Sequence, residues 1–199
     1  MKRILLLMMC VLSVSFAFAQ KSNQKRGIKT VKVAKSEVRW WGHKVVRSDA
    51  TTHSGFVKMK NGKFIFKNLD LVGGEFTVDM RTLEATDLTG EDQKKLTDDL
   101  KSSNFFEVKK FPVAKFVIKR ILQVKNDDYN YEVIGDITIK GIRKTISFPA
   151  HIRTNGLVAE LESAKFSLNR QDFKVFYKSS IKDYLIKDEI DLKIKASTH

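Results

Sequence analysis

Cysteine is nearly absent from this chain: Cys10 is the only one in 199 residues, and it sits inside the apolar run at the N-terminus. A disulfide scaffold, thiol catalysis and cysteine-built metal centres are thereby excluded. Proline is almost as scarce, with two residues. The familiar catalytic signatures are missing as well: there is no HExxH, P-loop, GxGxxG or GxSxG. His43, His53 and His151 lack the spacing of metal ligands, so neither a metal nor a cofactor is expected. Internal repeats and low-complexity tracts are absent. Acidic residues are few, 23 against 37 lysines and arginines.

The first residues form a recognisable pattern. Lys2 and Arg3 precede an apolar run from Ile4 to Phe18, and Ala17-Phe18-Ala19 supplies small residues flanking a cut before Gln20. This reads as a secretory signal peptide, residues 1–19, cleaved after Ala19. The run is too short for a good spanning helix. Cys10 has bulky Met8 and Met9 before it, and the apolar run continues past it, which disfavours lipidation. Export to the periplasm or outside the cell is the expectation. Residues 20–29 are polar and basic and read as a loose leader. Residues 30–199 are then one domain, large enough to bury most of its unfolded surface.

The basic surplus admits an anionic partner. Export makes nucleic acid a poor candidate and leaves peripheral contact with an anionic membrane. A blander origin is visible in the pattern. Lys63 and Lys67, Lys115 and Lys119, and Lys193 and Lys195 alternate with apolar residues, as lysines do on the outer faces of strands.

Period-two alternation dominates the remainder. Val31, Val33, Val38 and Trp40 suggest one strand or two short ones ending near Gly42, with a polar loop following. His53 to Lys60 and Lys63 to Leu69 flank Asn61-Gly62, a strong hairpin signal. Gly73-Gly74 reads as the next turn. Phe76, Val78 and Met80 then share one face, opposite Glu75, Thr77, Asp79 and Arg81. Further strands follow from Val113, from Tyr129 to Ile139 and from Thr145 to Arg153, with turns at 126–128 and at Thr154-Asn155-Gly156. A switch of parity from Leu161 to Phe166 suggests a β-bulge near Ser163. Asp188 to Ala196 alternates cleanly. Eight or nine short-linked antiparallel strands imply a sandwich or a closed barrel.

One insertion interrupts the strands. Thr89 with Asp92 resembles a capping box, and Leu96 and Leu100 give a thin apolar stripe, so a surface helix is expected there. Phe105, Phe106 and Phe111 follow and must dock, since exposed together they would form a sticky patch.

Candidate chemical residues are few. His53 could orient a headgroup, although a lone strand histidine is more often just hydrogen-bonded. Asp79 has the parity of the outer face and is expected to pair with a lysine of a neighbouring strand. Arg170 could bind an anionic headgroup bidentately or form a salt bridge at a barrel rim. The large apolar residues of shared parity would either fill a small barrel or line a tunnel, and periodicity cannot separate these outcomes.

Several stretches, in order, carry a resemblance: His53-Ser54-Gly55-Phe56, GGEFTVDM from Gly73, LKSSNFFEVKKFPVAKF from Leu100, YEVIGDITIKGIRKTISFPA from Tyr131, SLNRQDFKVFY from Ser167 and IKDEIDLKIKA from Ile186. From about Ser36 to Ala196 the chain resembles the YceI-like family of exported lipid-binding proteins, also called polyisoprenoid-binding proteins. The resemblance implies an all-β fold, an eight-stranded antiparallel lipocalin-like barrel with one short helical insertion. It also implies a pore holding an isoprenoid or other long-chain lipid, and no established catalysis. Pore lining is then expected from Trp40, Phe64, Phe66, Phe76, Val78, Met80, Phe116, Ile118, Tyr131, Ile137, Ile139, Phe148, Phe166 and Leu168. Phe105, Phe106 and Phe111 are expected to form a portal, with His53 and Arg170 as possible headgroup contacts. Two other readings stand beside the carrier: an enzyme using His53, Asp79 or Arg170 on a lipid-like substrate, and a closed-core basic protein docking on anionic membranes.

Overall fold

The computed structural model describes residues 27–46, 49–125, 128–176 and 184–199. The candidate signal peptide, most of the leader and most of the turn at 126–128 lie outside the described residues. The chain runs β1 (Ile28–Lys32), β2 (Lys35–Val46), β3 (Asp49–Lys67), β4 (Asp70–Ala85), α1 (Gly90–Lys101), β5 (Val113–Gln123), β6 (Tyr131–Ile139), β7 (Ile142–Asn155), β8 (Val158–Ser163) and β9 (Phe166–Asn169). A 3-10 turn, Arg170–Phe173, leads on toward β10 (Tyr184–Ser197).

All pairings are antiparallel and they close on themselves. β10 joins β2 on one edge and β8 and β9 on the other. β7, β6, β5 and β4 continue the wall, and β4 returns to β3. β3 meets β2 along one half and β1 along the other, so β1 and β2 together make one stave. The result is an eight-staved barrel in which β8 and β9 likewise share a stave. Closure removes nearly all the unpaired edge that an open sheet would expose.

Several local expectations are corrected. Asn61-Gly62 is not a hairpin. β3 runs through it, with Asn61 opposite Thr77 and Gly62 opposite Phe76, and the register slips at Lys60. Glycine is needed there for close approach: a Cβ on Gly62 would lie 2.7 Å from Met59 Sδ and 3.0 Å from both Phe76 and Val33. Gly73 and Gly74 are also interior to a strand, opposite Ile65 and Phe64. The turn between these strands is instead made by Asn68 and Leu69, both at positive φ, 52° and 76°. The pair suits a primed hairpin turn, with leucine an unusual occupant.

The polar loop expected after Gly42 is strand as well, since β2 continues to Val46 and β3 starts at Asp49. β1 begins two residues inside the stretch read as leader. The parity switch after Leu161 is a break between two strands rather than a bulge in one. There the buried Ser163 hydroxyl accepts the Ile194 N–H at 2.9 Å, and Ala164 N–H donates to the Pro149 carbonyl at 2.8 Å. Thr89 is the N-cap of α1, but its side chain makes no capping bond. Asp79 does face outward, yet its partner is Arg81 of its own strand, at 2.7 and 2.8 Å, and not a lysine across the sheet.

Inside the barrel the side chains divide by height. Phe64, Phe66, Val133 and Ala150, all at 0% exposure, pack with Ile118, Phe148, Ile152, Ala159, Leu161 and Ala196 into a solid half. The other half is walled by Val38, Trp40, Val57, Met80, Leu83 and Ala114 on one side, and by Ile137, Leu168, Phe173 and Val175 on the other. Between those walls lies a cavity.

Candidate functional site

The cavity measures about 220 Å³. Its floor is a relay of phenylalanine rings. Phe64 meets Phe76 edge-on at 5.4 Å, Phe76 stacks near Phe116 at 6.5 Å, Phe116 meets Phe148 at 5.5 Å, and Phe148 stacks on Phe166 at 4.5 Å. Such contacts add about 0.5–1.5 kcal/mol each beyond the area they bury, which makes the floor stiff. Phe76, Phe116 and Phe148 show a face to the cavity, while Phe64 and Phe166 stand behind them.

α1 covers one side of the open end. Leu96 and Leu100 pack against the Trp40 wall. Gln93 donates to the Ala85 carbonyl at 2.8 Å, and the Thr97 hydroxyl accepts the Ala85 N–H at 3.1 Å, so the helix is fastened to the end of β4. After the helix, Phe105 and Phe106 turn into the cavity. Lys140, in the turn between β6 and β7, holds this segment. Its ammonium, buried, pairs with Glu107 at 2.7 Å and donates to the carbonyls of Phe105 at 2.9 Å and Lys174 at 3.0 Å. The hydrogen bond from Lys140 holds the Glu107 carboxyl below the usual range, against a smaller opposing effect of burial.

The expected pore residues separate along this geometry. Trp40, Phe76, Val78, Met80, Phe116, Ile137, Ile139, Phe148 and Leu168 line the cavity. Phe64, Phe66, Ile118, Tyr131 and Phe166 belong to or pack on the solid half instead. Phe105 and Phe106 line the cavity. Phe111 does not; it lies outside, beneath the Lys110 ammonium at 5.2 Å. Absent from the expectation were Val38, Val57, Leu83, Ile190, Leu192 and Ile194. Val38 shares parity with Trp40, and Leu192 and Ile194 alternate cleanly in the last strand, so parity alone could have named them.

His53 stands at the rim, where the Gly42–His53 pair ends the covered part of β2 and β3. Its Nδ1 lies 2.8 Å from Asp87 Oδ2, and the Ser54 N–H donates to Asp87 Oδ1 at 2.9 Å. Partial burial works against ionisation of Asp87, but the bonds from Ser54 and His53 prevail and lower its pKa. Asp87 thus orients the imidazole, leaving Nε2 as the nitrogen that can meet a ligand.

Arg170, 7% exposed, also borders the cavity, but its donors are engaged. They reach the carbonyls of Val175 at 2.6 Å, Ile186 at 3.2 Å and Lys187 at 3.2 Å, and the Asp188 carboxylate at 2.8 Å. The guanidinium staples the 3-10 turn to the start of β10, which is the rim salt bridge considered above. Asp79, paired with Arg81 on the outer face, does not join His53 and Arg170 at the cavity. Among the described residues no group of three or more His, Cys, Asp or Glu is arranged to hold a metal.

A second clasp lies on the outer wall of the hollow half. His43 bridges Thr52 and Asp191, at 3.0 Å to each, and Ser167 and Lys165 reach the same carboxylate at 2.6 and 3.0 Å. Burial raises the Asp191 pKa, but the bonds from Ser167, Lys165 and His43 outweigh it and hold the carboxyl at about 2. Four strands are tied at this one acid: β10, which carries it, β9 through Ser167, β2 through His43, and β3 through Thr52 bonded to His43. Trp41, beside it, lies under the Lys165 ammonium at 4.5 Å, so of the tryptophan pair only Trp40 points inward.

Known proteins share sequence or fold with this chain. UPF0312 proteins of Pseudomonas putida strains F1 and KT2440 are each 28% identical to the chain over 102 residues, which is 51% of this chain and 50% of theirs. The chain therefore spans about half the length of the curated relatives it matches. Among solved structures, BcnA of Burkholderia cenocepacia superposes with a TM-score of 0.63 at 21% identity, covering 82% of this chain and 96% of that one. A polyisoprenoid-binding domain from Saccharophagus degradans superposes at 0.54 with 10% identity, over 85% and 98% of the two chains. At such identities the likeness is one of fold. A family model, the YceI-like domain, matches residues 30–198, nearly the whole described barrel, and on that extent the chain belongs to the YceI-like family.

Proposed function

We propose that this protein binds and carries a long-chain amphiphilic lipid, of polyisoprenoid type, in the hollow half of its barrel. The observation that carries the reading is the cavity itself, lined mainly by aliphatic and aromatic side chains, with His53, Arg170 and Lys187 among the ionisable residues that border it. An apolar cavity of about 150 Å³ already stays dry and accepts a benzene-sized guest. This one is larger, and Met59 and Met80 in its wall are unbranched and adaptable. Each methylene moved out of water contributes about 0.8 kcal/mol, so ten or more carbons suffice for tight binding. The binding-protein character of the family and the ligand named for the Saccharophagus domain support the same class of ligand. The signal-peptide pattern of residues 1–19 supports a periplasmic or secreted location.

The test is native mass spectrometry and lipid extraction of the protein purified under mild conditions. A bound polyprenyl compound, or uptake of an added one, is the expected outcome. No co-purified lipid together with no uptake would sink the reading.

In this reading the lipid is loaded where the rim meets a membrane. Phe176, 56% exposed, directly follows Val175 of the cavity wall. An aromatic ring at the mouth of a basic protein suits an anionic bilayer surface. Binding to anionic vesicles should weaken as salt screens the attraction and should fall for Phe176→Ser. Salt-insensitive binding, or none, would remove the membrane from the account.

A further inference from the structure

One polar group inside the hollow half is unexplained by a simple hydrocarbon sleeve. Trp40 lines the cavity, is 7% exposed, and packs with Val38, Val57, Met80 and Leu83. Its ring lies along the wall over Gly42 and Gly55, where an added Cβ would sit 3.9 Å and 2.8 Å from ring carbons. A Cβ at Gly55 would clash first with the Glu84 backbone carbonyl and then with the indole, so the glycine serves the close approach of β4 as well as the ring. The indole nitrogen is buried and has no hydrogen-bond partner, and among the described residues it is the only buried side-chain nitrogen or oxygen in that condition. By contrast, Ser163, Lys140 and Arg170 all have theirs.

An unmet donor in an apolar interior is expensive, because the water it left is not replaced. Bulk alone does not require it: the chain uses 14 phenylalanines, and phenyl rings already make the floor. We infer that the Trp40 indole N–H is the polar subsite of the lipid cavity, and that it selects chains carrying an uncharged acceptor oxygen, a carbonyl or hydroxyl, over plain hydrocarbon. This rests on the carrier reading above and sharpens its substrate class. Neutral oxygen fits better than phosphate. The side chains packed against Trp40 are apolar, and the cations that border the cavity, Arg170 and Lys187 among them, are not among those packed on it, so an ionic group at that depth would lose its hydration unrepaid.

The depth follows from the register. Trp40 pairs with Gly55, two residues inside the Gly42–His53 pair at the rim, which places the oxygen about 7 Å below His53. Access to the nitrogen takes a shift of a flexible wall group, and Met80 shares both the cluster and the cavity with Trp40.

The experiment compares two ligands of equal length on the full chain, a tetraprenyl hydrocarbon and the matching tetraprenyl methyl ketone. Affinities are measured for both, and the two indole N–H resonances are followed by NMR, with Trp41→Phe identifying that of Trp40. The ketone should bind about tenfold tighter, the gain from one buried hydrogen bond. It alone should move the Trp40 N–H resonance downfield. Trp40→Phe should bring the affinity ratio near one. If that variant does not fold, replacement of Trp40 by benzothienylalanine, an isostere lacking the N–H, serves instead. A ratio near one in the unaltered protein, or a ratio unchanged without the N–H, overturns the inference and leaves the carrier reading standing. Binding of neither ligand overturns the carrier reading and this inference with it.

Discussion

The two halves of the barrel share their strands but not their interior. In the solid half, β3 contributes Phe64 and Phe66, β6 contributes Val133, and β7 contributes Phe148 and Ala150, all at or near zero exposure. In the hollow half the same strands present Val57, Ile137 and Ile139, and β5 presents Ala114. Smaller side chains, with Gly42 and Gly55 between them, do not reach across the barrel. The solid half supplies packing energy, and the staves of the hollow half are also held by polar contacts around the cavity. That holding is done by polar clasps: Lys140 on the portal segment, Arg170 on the rim and Asp191 on the outer wall. Stability and binding thus reside at different heights of one sheet.

Truncation of one inward residue in each half should separate the halves most. Phe64→Ala removes a ring with no exposure and no room for collapse, and should lower the unfolding free energy by about 3–5 kcal/mol in urea titration. Leu192→Ala, in the cavity wall, adds little new void and should cost about 1 kcal/mol. Equal losses would mean that the hollow half is packed as tightly as the other.

A clasp should matter next. Lys140→Ala leaves the Phe105 and Lys174 carbonyls and Glu107 without their cation, at a cost of about 2 kcal/mol, and should hasten exchange of bound lipid. A full stability loss with unchanged exchange would detach the clasp from the portal.

Filling the hollow half is the converse experiment. Ile139→Trp places a large ring in the cavity and should weaken polyprenyl binding at least about tenfold, with stability altered by less than about 1 kcal/mol. The portal aromatics should differ among themselves. Phe106→Ala should speed lipid release, whereas Phe111→Ala, outside the cavity, should leave it unaltered, as read by transfer of a fluorescent lipid.

The smallest effect is acid sensitivity. Asp191 titrates near 3.8 when unfolded and at about 2 when folded, so between those values the folded state binds fewer protons. The stabilisation is complete above about pH 4 and is lost as pH falls through about 2. Asp191→Asn should flatten that part of the acid unfolding curve. An unchanged slope would show that the outer clasp contributes nothing.

Parity made much of this legible beforehand. Phe76, Val78 and Met80 do face inward and Asp79 does face outward, because an alternating strand beside a buried interior allows only one orientation, and α1 does follow Thr89, at Gly90–Lys101. The turns were harder. Asn61-Gly62 and Gly73-Gly74 carry strong local signals, yet they serve close approach of neighbouring strands, and the hairpin falls to Asn68-Leu69. Local propensity cannot tell a glycine kept for φ from one kept for space.

Residue order alone therefore decided the class of fold, the inward face of most strands and the place of the helix, since these follow from period and composition over a few residues. Which inward residues fill the barrel and which surround a void was decided only by tertiary structure. Phe66 and Phe116 have the same chemistry and the same parity, and what separates them is how far up the barrel each ring stands and whether another meets it from across. That is a relation between strands distant in the chain, and no local pattern encodes it.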